Sequence, residues 1–243
     1  MGRRTRIKLI IRTILLIVMI VFSIVDINLV SKFMSLKLIG SFKLYQLLWP
    51  YLMYEMVIVL IPKFNNYSYS GKIFKRHFIE ADRYNSEKLE QFTEKNSKKA
   101  VNAFIFWVGL NGIIGFIYLK FNLSPIYMYL LFFFYYWADM FCVNIWCPFH
   151  KIIVRNKCCN ECRIYNWGHI MYLTPLVFIP SFYTYSLVFV GVVLFLQWEY
   201  MYRKYPERVS SISNKTLSCG ACSHDCRYNK AKRLDRAKNK SKQ

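Results

Sequence analysis

The stretch IYMYLLFFFYYWADMFCVNIW, residues 126–146, carries a single charged residue, Asp139. A run of this length and character matches the roughly 20 apolar residues with which a helix crosses the ~30 Å hydrocarbon layer of a bilayer. Three further runs read the same way, at residues 9–30, 44–62 and 101–121. The stretch 170–202 is apolar for too long to be one ordinary helix. It carries Pro175 and Pro180 ahead of Ser181, which predicts a tight hairpin of two short helices; a re-entrant segment followed by one span is the rival reading.

The fold class expected is therefore all-α: a polytopic transmembrane helix bundle of about six spans, the last two a short hairpin, with a Cys-rich cytoplasmic loop and tail. A content of 55% hydrophobic and 19% aromatic residues agrees, since lipid is the natural solvent for such runs. The chain divides into the first two spans (1–62), a charged helical loop (63–100), spans three and four (101–148), a Cys/His loop (149–169), the hairpin (170–202) and a basic Cys-rich tail (203–243). In 72–100, Phe74, Phe78, Leu89 and Phe92 among many charges suggest a helical hairpin or a helix lying on the headgroups. The run after Met1-Gly2-Arg3-Arg4 shows no small-residue cleavage site and reads as an uncleaved signal anchor. Arg6 stands where a myristoylation motif needs Ser or Thr, which disfavours that modification.

Orientation follows from the basic residues. With the N-terminus inside, Lys and Arg number 4 before the first span, 9 in 63–100, 4 in 149–169 and 12 from Arg203 on, so 29 lie inside. Outside stand only Lys32, Lys37, Lys43 and Lys120, and Arg12 falls within the first span. The positive-inside rule places both termini in the cytoplasm, and the location expected is the plasma (inner) membrane. The partners expected are the lipid bilayer, anionic headgroups along the tail from Arg227, and a protein partner for the charged surface. Nucleic acid is disfavoured because stacking aromatics are absent after Tyr228.

All eight cysteines follow residue 141. A reducing cytoplasm disfavours structural disulfides there, so pairing by spacing points to metal or thiol chemistry. In the loop, Cys147 and His150 precede Cys159 and Cys162, with Cys158 adjacent; two-residue gaps let paired ligands turn onto one ion, and this set could close a tetrahedral Cys₃His zinc site. The spacing resembles a compact zinc knuckle or ribbon turn. In the tail, Cys219, Cys222 and Cys226 with His224 offer a second set, completed by His224 or by Cys158. Zinc is the cofactor expected, and an iron–sulfur cluster is the weaker alternative because the tail spacing differs from ferredoxin and radical-enzyme patterns. Lys151, Arg155, Lys157 and Arg163 would lower the thiol pKa values and favour thiolate. Juxtamembrane Cys142 and Cys147 also suit acylation.

Glu55 and Asp139 fall near the middle of the second and fourth spans, where a carboxylate faces a bundle interior or a cavity. They could relay protons or cations, or be held by Gln46, Asn111, Asn144 or a tyrosine. Asp139 and Cys142 share a helical face, which opens a route from the acid to the thiols. No histidine lies inside a span, which disfavours membrane haem. No phosphate-cradling glycine loop or HExxH helix occurs. The readings in order are a membrane protein with a structural or sensory Cys/His metal site, a membrane thiol redox protein using Cys159 and Cys162, a small ion- or proton-coupled transporter using Glu55 and Asp139, and an assembly scaffold.

Overall fold

The computed structural model describes residues 3–26, 28, 29, 32, 36–39, 42–64, 68–82, 84–156 and 159–218. Its main elements are α1 (Arg3–Val25), a short antiparallel pair β1 (Lys37–Ile39) and β2 (Phe42–Lys43), α2 (Leu44–Leu60), α3 (Ser86–Lys120), α4 (Pro125–Asn144), α5 (Gly168–Leu173) and α6 (Phe182–Lys204). The chain is overwhelmingly helical. Four helices are long and apolar enough to cross a membrane, within α1, α3, α4 and α6, and Gln46–Leu60 within α2 is a shorter apolar helix.

Each helix buries one stripe and leaves the rest of its apolar surface outward. On α1 the buried stripe is Arg12, Leu16 and Met19, while Ile10, Ile14, Ile17 and Ile24 are exposed. On α2 it is Leu52, Glu55, Met56 and Val59, and on α4 Met128, Phe132, Phe133 and Tyr136. These stripes, with Leu173, Leu176, Leu187 and Leu194, form the main core. Helical spacing of three and four residues puts each set on one face. Outward isoleucines suit a hydrocarbon surround, where only the packed face needs to be specific.

Residues 86–120 form one helix of 35 residues, where a separate hairpin or surface helix is expected from the sequence for 72–100. Asn85 caps it by accepting from Lys88 N–H at 3.0 Å, and no proline interrupts it, so the charged turns run straight into the apolar ones. The turn to α4 is short: Asn122 takes φ of 46°, a left-handed geometry that asparagine tolerates, and Ser124 caps α4 with Pro125 in its first turn.

The stretch 170–202 is not two matched short helices. It holds α5, a 3₁₀ segment Thr174–Phe178, a break at Ile179, and the 23-residue helix α6. Pro175 and Pro180 lack the N–H groups that would continue an α-helix, and Ser181 caps α6 by accepting from Thr184 N–H at 3.2 Å. The broken segment packs beside α3: Trp107 Nε1 donates to Thr174 Oγ1 at 3.1 Å, and the Phe178 ring lies 6.3 Å from that of Tyr118. Ahead of it, Arg163 Nη1 meets Ser97 Oγ at 2.5 Å. A Cβ on Gly115 would overlap the Phe178 ring, so this close approach requires glycine.

At the end of the bundle where α1 begins, the connections 68–82, 149–167 and 205–218 fold together around a second core containing Ile73, Phe74, Val154, Trp167, Trp198, Tyr202 and Val209. Residues 205–218 are tied to 77–82: Ala81 N–H donates to Ser213 O, Lys215 N–H to Ile79 O, and Thr216 Oγ1 to His77 O, at 2.8–2.9 Å. Arg163 anchors the Cys loop to α6 by a two-pronged ion pair with Glu199, with Nη2 at 2.5 Å, and Trp167 Nε1 completes that carboxylate at 3.0 Å. Arg163 is 5% exposed in its side chain, so removing it strands a buried carboxylate. Arg163→Ala should cost about 3–5 kcal/mol, read as a large fall in the melting temperature of detergent-purified protein, whereas Lys98→Ala in the exposed pair with Glu94 should leave that temperature unchanged.

Candidate functional site

Two polar features converge on Asp139. The first is an ion network between α1, α2 and α4. Arg12 Nη1 pairs with Asp139 Oδ2 at 3.0 Å and donates to the Tyr136 carbonyl at 2.7 Å, while Nη2 reaches Glu55 Oε2 at 3.3 Å. The guanidinium carbon stands 3.5 Å from the centroid of the Tyr136 ring. Lys8, one helical turn before Arg12, closes on Glu55 Oε1 at 2.5 Å, and the Tyr51 and Tyr136 hydroxyls donate to the same carboxylate at 3.0 and 3.2 Å. Two cations thus face two anions, with Arg12 and Glu55 buried at the centre, and the planar fork of arginine meets both acids at once. This arrangement is a structural clamp joining three helices. Gln46, Asn111 and Asn144 bond elsewhere: to Tyr183, to the Trp107 carbonyl, and to the Thr5 and Met140 carbonyls.

The second feature is a cavity of about 220 Å³ at the basic end. Its wall includes Asp139, Cys142, Cys147, His150, Cys159 and Cys162, set among Trp107, Tyr135, Phe149 and Met171. Cys142 lies in the last turn of α4 and Cys147 just beyond the bend, where the chain folds back into a π-helical turn, Phe149–Val154. Asp139 therefore belongs to both features, with Oδ2 on Arg12 and its carboxylate against the cavity. Its other oxygen lies against the backbone of Gly168, where any Cβ would overlap it. Glycine at 168 is what lets α5 start this close to α4.

The thiols differ in character. Cys147 accepts hydrogen bonds from the Cys142 thiol and from the backbone N–H groups of His150, at 3.4 Å, and Phe149, and these pull its pKa down to about 7 against the effect of burial. Burial pushes the Cys162 thiol up to about 12, so it stays protonated at neutral pH. None of Cys142, Cys147, Cys159 and Cys162 is joined in a disulfide. Among the described residues, no three of His, Cys, Asp or Glu stand close enough to hold a metal ion. Cys147, His150, Cys159 and Cys162 share a cavity wall, and their donor chemistry is of the kind zinc takes. Cys158, Cys219, Cys222, Cys226 and His224 lie outside the described residues, as does the basic tail beyond residue 218.

Arg12 is the network residue that reading spans alone passes over. Its signal is helical phase: Lys8 and Arg12 share a face with Leu16 and Met19, the face that becomes buried. Comparison with protein-family models, with curated proteins and with solved structures finds no match for this chain.

Arg12→Met should destabilise the protein by about 3–5 kcal/mol because it leaves two carboxylates without their shared cation; adding Glu55→Gln and Asp139→Asn should restore most of that loss in a thermal melt. Alkylation of Cys147, followed by peptide mass spectrometry, should reach half its limiting rate near pH 7. In Cys142→Ala the lost donor should move that midpoint upward.

Proposed function

We propose that this chain is a multi-pass protein of the plasma membrane, with six crossings and cytoplasmic termini, in which Cys142 and Cys147 form a redox pair that serves a lipid-soluble carrier. The observation that carries the reading is that Cys142 and Cys147, on either side of the bend after α4, line one cavity of otherwise largely apolar wall, with the His150 N–H donating to the Cys147 sulfur at 3.4 Å. A sulfur that shares a cavity with a second thiol, and whose pKa is drawn down by backbone N–H groups, suits disulfide formation. The fifth crossing is the broken segment 168–181, and gathering of the basic connections at one end supports the orientation.

In chemical terms, two thiols become one disulfide, releasing two electrons and two protons. A quinone-class ring takes up both and leaves as the quinol. Asp139, at the cavity wall and held by Arg12, is the group placed to carry a proton from the thiols to the quinone oxygen. Cys159 and Cys162, the pair favoured by spacing, suit the role less because the Cys162 thiol is held protonated by burial.

A metal centre is the second reading, and the observation that favours it is that four thiols and one imidazole line a single cavity. Zinc or an iron–sulfur cluster would draw on Cys147, His150, Cys159 and Cys162 and on the tail ligands. One experiment separates the two. Protein purified anaerobically is treated with menadione, and thiols are mapped by differential alkylation. The redox reading expects a Cys142–Cys147 disulfide, one menadiol per protein, and loss of both in Cys147→Ser. Stoichiometric zinc or iron by elemental analysis, with the thiols shielded from alkylation and from menadione, overturns it in favour of the metal centre.

A further inference from the structure

A second opening lies on the flank of the bundle, between α3 and α6, with a volume of about 870 Å³. This is within the ~300–1,000 Å³ typical of sites for small organic ligands. Its lower walls are apolar and outward-facing: Val101 is 56% exposed, Phe104 48% and Leu196 58%. Toward the basic end it is bounded by Arg163, Glu199, Arg203 and Lys204.

Among the described residues, the basic groups at that end outnumber the acidic ones. Glu199 takes both prongs of Arg163 and the indole N–H of Trp167, so its charge is already committed. Arg203 stands 3.9 Å from the same carboxylate and keeps 75% of its side chain exposed. Lys204 is exposed too, its ammonium held 2.8 Å from the Tyr200 hydroxyl. Two cations therefore rim an opening whose depth is hydrocarbon-like. The order along the helices, apolar walls first and basic rim at the α6 terminus, is that of one amphiphile, with an acyl chain against Phe104 and Leu196 and an anionic head against Arg203 and Lys204.

We propose that this cleft binds one anionic phospholipid of the cytoplasmic leaflet, its phosphate on Arg203 and Lys204. The inference rests on the membrane placement proposed above and is independent of the thiol chemistry. It is also separate from any contact between bulk lipid and the basic tail.

The test is native mass spectrometry of the full-length protein in detergent, titrated with phosphatidylglycerol or phosphatidylcholine. The expected result is one retained phosphatidylglycerol per chain, in preference to phosphatidylcholine. Affinity should fall about thirtyfold in Arg203→Ala/Lys204→Ala, as expected from losing two surface cations at about 1 kcal/mol each. Both side chains are exposed, so the double variant should melt as the wild type does. Lys230→Ala/Lys232→Ala/Arg233→Ala, in the tail, should keep the bound lipid. Equal binding of the two lipids, wild-type affinity in the rim variant, or loss in the tail variant alone would each overturn the proposal.

Discussion

A guanidinium enclosed among apolar helices can persist only if its charge is met on the spot. Arg12 meets this demand with Asp139, Glu55 and the Tyr136 carbonyl, and Lys8 offsets the second carboxylate. Each ion would cost several kcal/mol if taken from water alone, and together they compensate one another. The gain is largely one of specificity. Leucine faces packing in lipid can slide, whereas a forked ion pair fixes the rotation and height of α1 against α2 and α4 at once. The ring of Tyr136 beneath the guanidinium adds a further constraint, because Tyr136 also donates to Glu55.

The cavity depends on that clamp. Asp139 is held by Arg12 on one side and meets Gly168 on the other, so the position of α4 sets where α5 can begin. The Cys loop is then held from its far end by Arg163 on Glu199 and by the Trp198 indole, which donates to the Arg163 carbonyl at 2.6 Å. Between these two anchors, Cys142, Cys147, Cys159 and Cys162 come to line one wall. The chemistry of the thiols follows from this enclosure. Burial alone raises a thiol's pKa, as at Cys162, and a donated hydrogen bond together with backbone N–H groups reverses the trend at Cys147.

Much of the architecture is legible from residue order. Long apolar runs announce α1, α3, α4 and α6 because a bilayer imposes length and composition on whatever crosses it. The phase of the charges is legible too, since Lys8 and Arg12 lie on one face and Glu55 falls on the stripe with Leu52, Met56 and Val59. Spacing is a poorer guide to the cysteines. The C-x₂-C of Cys159 and Cys162 stands out in sequence, yet Cys142 and Cys147, on opposite sides of a bend, line the same cavity as that pair. Continuity is equally hidden: charged residues 86–100 look like a loop by composition, but no breaker separates them from the apolar turns and the helix carries through.

By itself, the sequence determined the helical class, the long apolar runs that become helices long enough to cross a membrane, and the asymmetry of basic residues, because each depends on composition along the chain. The tertiary structure decided which charges neutralise one another, how the proline-broken segment runs beside α3, and which thiols meet. Those outcomes depend on distances between residues as far apart as Arg12 and Asp139, and no local pattern encodes the packing that brings them within 3.0 Å.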